Sequence, residues 1–305
     1  MSIRSVMLNS LVLLVAGCTV QSTASPVNIP PSSIPTNTNL PVSTATFTTI
    51  PGTHESASCS DWQSWLVIPV VSQTVRDVYQ RGQTRGNRAD AFSKIGDGEI
   101  STAWFLSAFD LGPEHYDLGP YQNLLPVTEY FAGSFERIGV AARRGFNTRR
   151  ILEVSSEDFT PCESGESPLT CELRLHQPAY AIISLGTNQV WEPDEFESGM
   201  RRILEILLAH DVVPIFSTKG DNLEGDHRIN RIIACLATEY DVPLWNFWSA
   251  IQPLPNHGLE ADLEHLTYGI TDFDDKHAMQ TAWTIRNLTA LQALDVVWRA
   301  VAMQR

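Results

Sequence analysis

A chain of 305 residues with 43% hydrophobic content is long enough for one large domain or two small ones, and it carries ample apolar surface for a buried core. Thirty-five acidic residues against 21 basic ones give a formal net charge of -14, which repels nucleic acid and anionic bilayer surfaces. Polyanion binding is therefore set aside as a function.

At the N-terminus, Arg4 precedes an apolar run over residues 11–15 that is too short to span a bilayer and has the character of a secretory h-region. The run ends in Val15, Ala16, Gly17 and Cys18, which resembles the bacterial lipobox. That resemblance implies cleavage before Cys18, lipidation of Cys18, and a lipid-anchored, extracytoplasmic location at a bacterial membrane or cell surface. Residues 1–18 are thus read as a lipoprotein signal. Residues 19–58 are rich in Ser, Thr and Pro, show no helical or strand period, and bury too little apolar surface to offset chain ordering; they read as a tether. Residues 59–305 run without a second linker and suit one α/β domain.

Trp62, Trp65, Leu66, Ile68, Val70 and Val71 open that domain, and the span holding Arg76, Arg81, Arg85 and Arg88 reads as a helix running into a loop. Residues 92–95 form the first strand candidate, stopping at Gly96, Asp97 and Gly98, with a helix expected to start near Trp104, Phe105 and Leu106. A loop broken by Gly and Pro over residues 111–120 precedes a short helix marked by Leu124, Leu125, Val127, Tyr130 and Phe131. Residues 137–142 read as a second strand ending near Gly145 and Asn147. Cys162 and Cys171 bracket a polar loop at a spacing that lets a disulfide close a hairpin-like excursion, whereas sequence leaves open whether Cys59 and Cys235 pair or stay free. No pattern of zinc spacing occurs, so no structural metal is expected.

The clearest strand covers residues 179–185, a continuous apolar run of the kind found where both sheet faces are covered; it stops at Gly186, Thr187 and Asn188. Residues 194–210 form a helix with Phe196, Met200, Ile203, Leu204, Leu207 and Leu208 on one face, and Asp194 with Glu197 resembles a capping box. Residues 212–217 are a strand, residues 226–240 a helix with Ile229, Ile232, Ile233, Leu236 and Tyr240 on its apolar side, residues 242–247 a further strand, and residues 278–301 mostly helix. Strands alternating with helices at this spacing argue a parallel sheet covered on both faces, whose ligands sit beyond the carboxyl ends of the strands.

The residues at those ends are Gly96, Asp97 and Gly98; Gly145 and Asn147; Gly186, Thr187 and Asn188; residues 221–227; and Asp262 through His265. Over residues 91–295 these blocks, in this order, resemble the SGNH (GDSL-type) hydrolases. The resemblance implies a three-layer, flavodoxin-like doubly wound parallel sheet and an ester hydrolase without a cofactor. It assigns His265 as the general base, Asp262 as its orienting acid, and Gly98, Gly145 and Asn188 as oxyanion-hole donors. On chemical grounds a base must reach the nucleophile's proton while a carboxylate fixes its tautomer, and Asp262 and His265, three apart on one turn, can converge.

One departure divides the readings. Where the family has its nucleophilic serine this chain has Gly98, and a glycine N–H can donate to an oxyanion but cannot attack. Ser101 is the nearest substitute, roughly 5 Å along if a helix starts directly after the turn. Two functions are open: a membrane-tethered hydrolase acting on O-acyl esters of a glycan or lipid, or a non-catalytic binding module that kept the pocket and lost its attacker. The acidic loops 221–227 and 272–277 suit either a hard cation or, more commonly, capped helix starts with solvated charge, and Trp191, Trp245 and Trp248 are candidates for stacking on sugar rings.

Overall fold

The computed structural model describes residues 59–154 and 161–302. The signal, Cys18 and the tether lie outside the described residues. In chain order the elements are α1 (Gln73–Arg85), β1 (Arg88–Gly96), α2 (Ala108–Leu111), α3 (Leu125–Tyr130), α4 (Thr148–Leu152), α5 (Pro168–His176), β2 (Pro178–Ser184), α6 (Pro193–Ala209), β3 (Val213–Ser217), α7 (Arg228–Glu239), β4 (Leu244–Trp245), α8 (Phe247–Ile251) and α9 (Ala282–Ala302), joined by short 3-10 turns. Among the described residues no helix is long and apolar enough to cross a membrane.

The four strands are all parallel and lie in the order β1-β2-β3-β4, with Ile95 beside Ile183, Ile182 beside Ile215, and Phe216 beside Leu244. β2 is buried along its whole length because its side chains alternate between two cores. Tyr180 and Ile182 face the core with α1, α3, α8 and α9, while Ala181 and Ile183 face the core with α5, α6 and α7. The result is the expected three-layer α/β arrangement.

Residues 137–142 are not the strand their pattern predicts. Only Ala142 bridges β1, opposite Gly96. The reason is the buried carboxylate of Glu172 on α5, which accepts the Val140 N–H at 3.0 Å and pairs with Arg137, diverting the segment from the ladder. Counting that one bridge, the spatial order is second, first, third, fourth, fifth, which is the flavodoxin-like order, and the crevice where the winding reverses lies between the ends of β1 and β2.

Three further expectations are adjusted. No helix starts at Trp104: residues 97–107 are turns, with Leu106 at a φ of 63°, and only the four-residue α2 comes after them. α6 begins at Pro193, one residue before the expected Asp194, because the proline ring fixes a helical φ at the first position; Glu192 precedes it and no side chain caps it. Cys162 and Cys171 are bonded, but Cys171 sits inside α5 behind the Ser167–Thr170 capping box, so the bridge ties a loop to a helix and closes no hairpin. Cys59 and Cys235 are bonded as well, fastening the start of the domain to α7.

Candidate active site

β1 delivers the first block. Gly96 has a φ of 153°, and a Cβ there would lie 1.9 Å from the Ser184 carbonyl oxygen, so only glycine lets β1 and β2 meet at this point. Past it the chain folds around Asp97, whose carbonyl accepts the Ile100 and Ser101 N–H groups at 3.3 and 3.1 Å and whose Oδ1 accepts the Glu99 N–H at 3.2 Å. Gly98 is different in kind. Its φ lies outside the left-handed range, and a Cβ added there would meet only Arg144 Cγ, at an ordinary 3.7 Å. The fold does not demand glycine at position 98.

Arg144 belongs to the second block, so that contact brings the first two blocks together. The third joins them through Asn188, whose Nδ2 donates to the Phe146 carbonyl at 3.1 Å. One amide hydrogen of Asn188 is thereby used to orient the side chain, and the other stays available. Among the described residues the N–H groups of Gly98 and Gly145 have no protein acceptor. Below Asn188, Thr187 donates to Asp221 at 2.6 Å; Asp221 in turn pairs with buried Lys219 Nζ at 2.5 Å, and Glu224 pairs with the same ammonium at 2.7 Å. These carboxylates are thus taken up by Lys219 and the turn beneath Asn188.

The Asp262 and His265 side chains do converge. Asp262 Oδ1 accepts the N–H groups of Glu264 and His265, both at 3.0 Å, and Oδ2 lies 2.7 Å from His265 Nδ1. Those two backbone donors and the imidazole hold Asp262 down at about 2. The same Asp262 contact raises His265 above its ordinary value, and the negative charge of Glu99 adds to the shift. With Nδ1 occupied by the carboxylate, Nε2 is the nitrogen left to exchange a proton. Ser101 is half-buried in the irregular turn and caps no helix.

Sequence reading missed the charge beneath this turn. Arg286, wholly buried on α9, donates to Ser184 Oγ at 2.8 Å, lies 3.4 Å from Glu99 Oε2, and is surrounded by the rings of Phe105, Trp245, Phe247 and Trp283. The only available signal was an arginine among the largely apolar first turns of that helix. Burial raises Glu99, and burial with the neighbouring Glu99 charge pushes Asp97 up to about 8. Its unfolded value lies near 4, so the folded state keeps a proton that the unfolded chain releases, and stability present below pH 4 is lost as pH rises towards 8. About 1.4 kcal/mol per pH unit sets the upper limit. Asp97→Asn removes this dependence; urea unfolding at pH 4 and pH 8 is expected to show the variant losing about 2 kcal/mol less than the parent over that interval.

The aromatic candidates divide. Trp245 is fully buried with its Nε1 on Thr289, and Trp248 packs edge-on against Trp62 and His227, so Trp245 is closed to a ligand and the Trp248 ring is engaged within the protein. Trp191 is exposed.

No family model matches the chain, and no curated protein matches it. Among solved structures it is similar to TesA, at 15% identity over 68% of this chain and 99% of that one, with a TM-score of 0.42. It is similar to a GDSL-like lipase from Bacteroides thetaiotaomicron VPI-5482, at 14% identity over 72% and 98% of the two chains and a TM-score of 0.41. It is also similar to Axe2, an acetylxylan esterase from Geobacillus stearothermophilus, at 15% identity over 70% and 96% with a TM-score of 0.45.

Proposed function

We propose that this chain is an SGNH-like ester hydrolase acting on O-acyl esters of a glycan or lipid, held outside the cytoplasm by a lipid on Cys18. The observation that carries the reading is the Asp262–His265 bond at 2.7 Å, which leaves the imidazole's second nitrogen free. In the proposed reaction His265 Nε2 takes the hydroxyl proton of Ser101, whose oxygen attacks the acyl carbon. The Gly98 and Gly145 N–H groups and the spare Asn188 hydrogen receive the oxyanion. His265 returns the proton to the departing alcohol, and water then releases the acid by the same steps.

A second reading, a non-catalytic binding module, is favoured by Gly98 alone: the position has room for a side chain and lacks one. Hydrolysis of a short-chain nitrophenyl ester separates the two. The chain is expected to turn the ester over, to lose at least about 100-fold of that rate in His265→Ala, and to show an acid limb above the ordinary histidine value near 6.5, because the raised imidazole must be neutral to act. Turnover indifferent to His265→Ala defeats the hydrolase assignment. Turnover abolished by Ser101→Ala defeats the binding-module reading.

A further inference from the structure

Four exposed apolar side chains fall in the segment that carries the Asp262–His265 couple and in the turn after Gly98: Leu263 (56% exposed), Tyr268 (57%), Ile270 (54%) and Trp104 (55%). Isolated exposed apolar residues need no explanation, but these belong to two loops locked against each other. The Trp104 ring meets Tyr268 edge-on with centroids 5.3 Å apart and meets buried Trp283 at 5.7 Å. Underneath, buried Asn287 on α9 donates to the Trp104 carbonyl at 2.9 Å and to Thr271 Oγ1 at 3.0 Å, and it accepts the Leu106 N–H at 2.9 Å. Thr284 on the same helix donates to the Ile270 carbonyl at 2.7 Å. One helix therefore fixes both loops, and rings held in place before a ligand arrives lose little freedom on binding it. Tyr268 lies three residues after His265 and Trp104 five after Glu99, so the two rings stand on the chain segments that carry the candidate reaction centre.

We propose that Trp104 and Tyr268 form a stacking platform for an uncharged sugar ring of the ester-bearing glycan. This deepens the hydrolase reading by choosing glycan over lipid, and it rests on that reading for the purpose of binding but not for the contact itself. The C–H face of a pyranose packs on aromatic rings. The chain's net charge of -14 repels acidic sugars and anionic lipid headgroups.

Isothermal titration of the full chain with xylohexaose, cellohexaose and chitohexaose tests the proposal. At least one is expected to bind, with affinity falling about ten-fold or more in Trp104→Ala and separately in Tyr268→Ala, and largely restored in Trp104→Phe. Two independent truncations, each checked for an unchanged circular-dichroism melting curve, keep the result readable if one variant folds poorly. His265→Ala is expected to retain the binding. Should a hexaose bind through both rings while no ester is hydrolysed, the platform stands and the hydrolase reading falls. If none of the three sugars binds, or binding ignores both alanine variants, the platform is overturned whatever the ester assay shows; decanoate binding that depends on Trp104 in a chain that takes up no hexaose reassigns the rings to an acyl chain.

Discussion

Gly98→Ser, made in the Ser101→Ala background that has lost the proposed attacker, is expected to raise ester turnover about 10²–10⁴-fold over Ser101→Ala alone, the range that a positioned base contributes once it has a proton to take. The other groups of the proposed site have the local geometry that this step asks of them. The Asp262–His265 bond is formed, the Gly98 and Gly145 N–H groups are unengaged, and Asn188 is oriented by the Phe146 carbonyl. Nothing at position 98 resists a side chain: the backbone is ordinary and the nearest atom to a new Cβ is Arg144 Cγ at 3.7 Å. The contrast with Gly96, where a Cβ would collide with the Ser184 carbonyl, shows that this turn tolerates substitution at one glycine and forbids it at its neighbour. Nitrophenyl acetate hydrolysis gives the rate, and an initial burst of nitrophenol equal to the enzyme concentration reports an acyl-enzyme. Adding His265→Ala to the Gly98→Ser, Ser101→Ala chain is expected to return turnover to the level of Ser101→Ala alone. If Gly98→Ser leaves both rate and burst unchanged in the Ser101→Ala background, the blocks are not assembled as a hydrolase site.

Which parts of this arrangement could be read from sequence depends on how local their causes are. β2 was legible because covering both sheet faces leaves an unbroken apolar run, and α6 because its buried residues Phe196, Met200, Ile203, Leu204 and Leu207 recur at helical spacing. Residues 137–142 carry a strand-like pattern, yet Glu172, some thirty residues later, captures the Val140 N–H, and nothing within the segment announces that partner. β4 contracts to Leu244 and Trp245 because Asn246 turns its side chain to the Ser249 N–H and starts α8. Asn is a familiar cap, but whether it ends a strand is decided by the helix-forming residues after it.

The candidate site divides along the same line. Asp262 and His265 are three residues apart, and the turn that joins them is built by Asp262 accepting its own downstream N–H groups, so proximity and sequence spacing coincide. A helical reading puts Ser101 one turn beyond position 98, but Asp97 gathers the intervening N–H groups into an irregular turn, so that helical distance does not apply. The buried charges were illegible for a different reason. Lys219, Asp221 and Glu224 look like a solvated loop until the fold encloses them, and Arg286 becomes a partner of Glu99 only when α9 packs under the sheet ends.

Arg286→Met is expected to cost about 3–5 kcal/mol of stability, with the larger loss at alkaline pH. The methionine matches the apolar stem and keeps contact with the four rings, so the change isolates the charge. In the parent the guanidinium lies 4.6 Å from the Phe247 ring centroid and 3.4 Å from Glu99 Oε2, and it lowers the otherwise raised Glu99 and Asp97 carboxyls. Without it both carboxyls hold their protons more tightly in the folded state, while the unfolded chain still releases them near pH 4. A folded value above the unfolded one gives stability that is complete below pH 4 and disappears as pH rises, and raising the folded value further extends the loss to higher pH. The gap between variant and parent in urea unfolding is therefore expected to widen from pH 5 to pH 8. Glu99→Gln in the Arg286→Met background removes one of the two stranded carboxyls, so the double variant is expected to recover about 1–3 kcal/mol at pH 8 and much less at pH 5. A loss equal at both pH values, unrelieved by Glu99→Gln, would instead make Arg286 a packing element whose charge is immaterial to the turn above it.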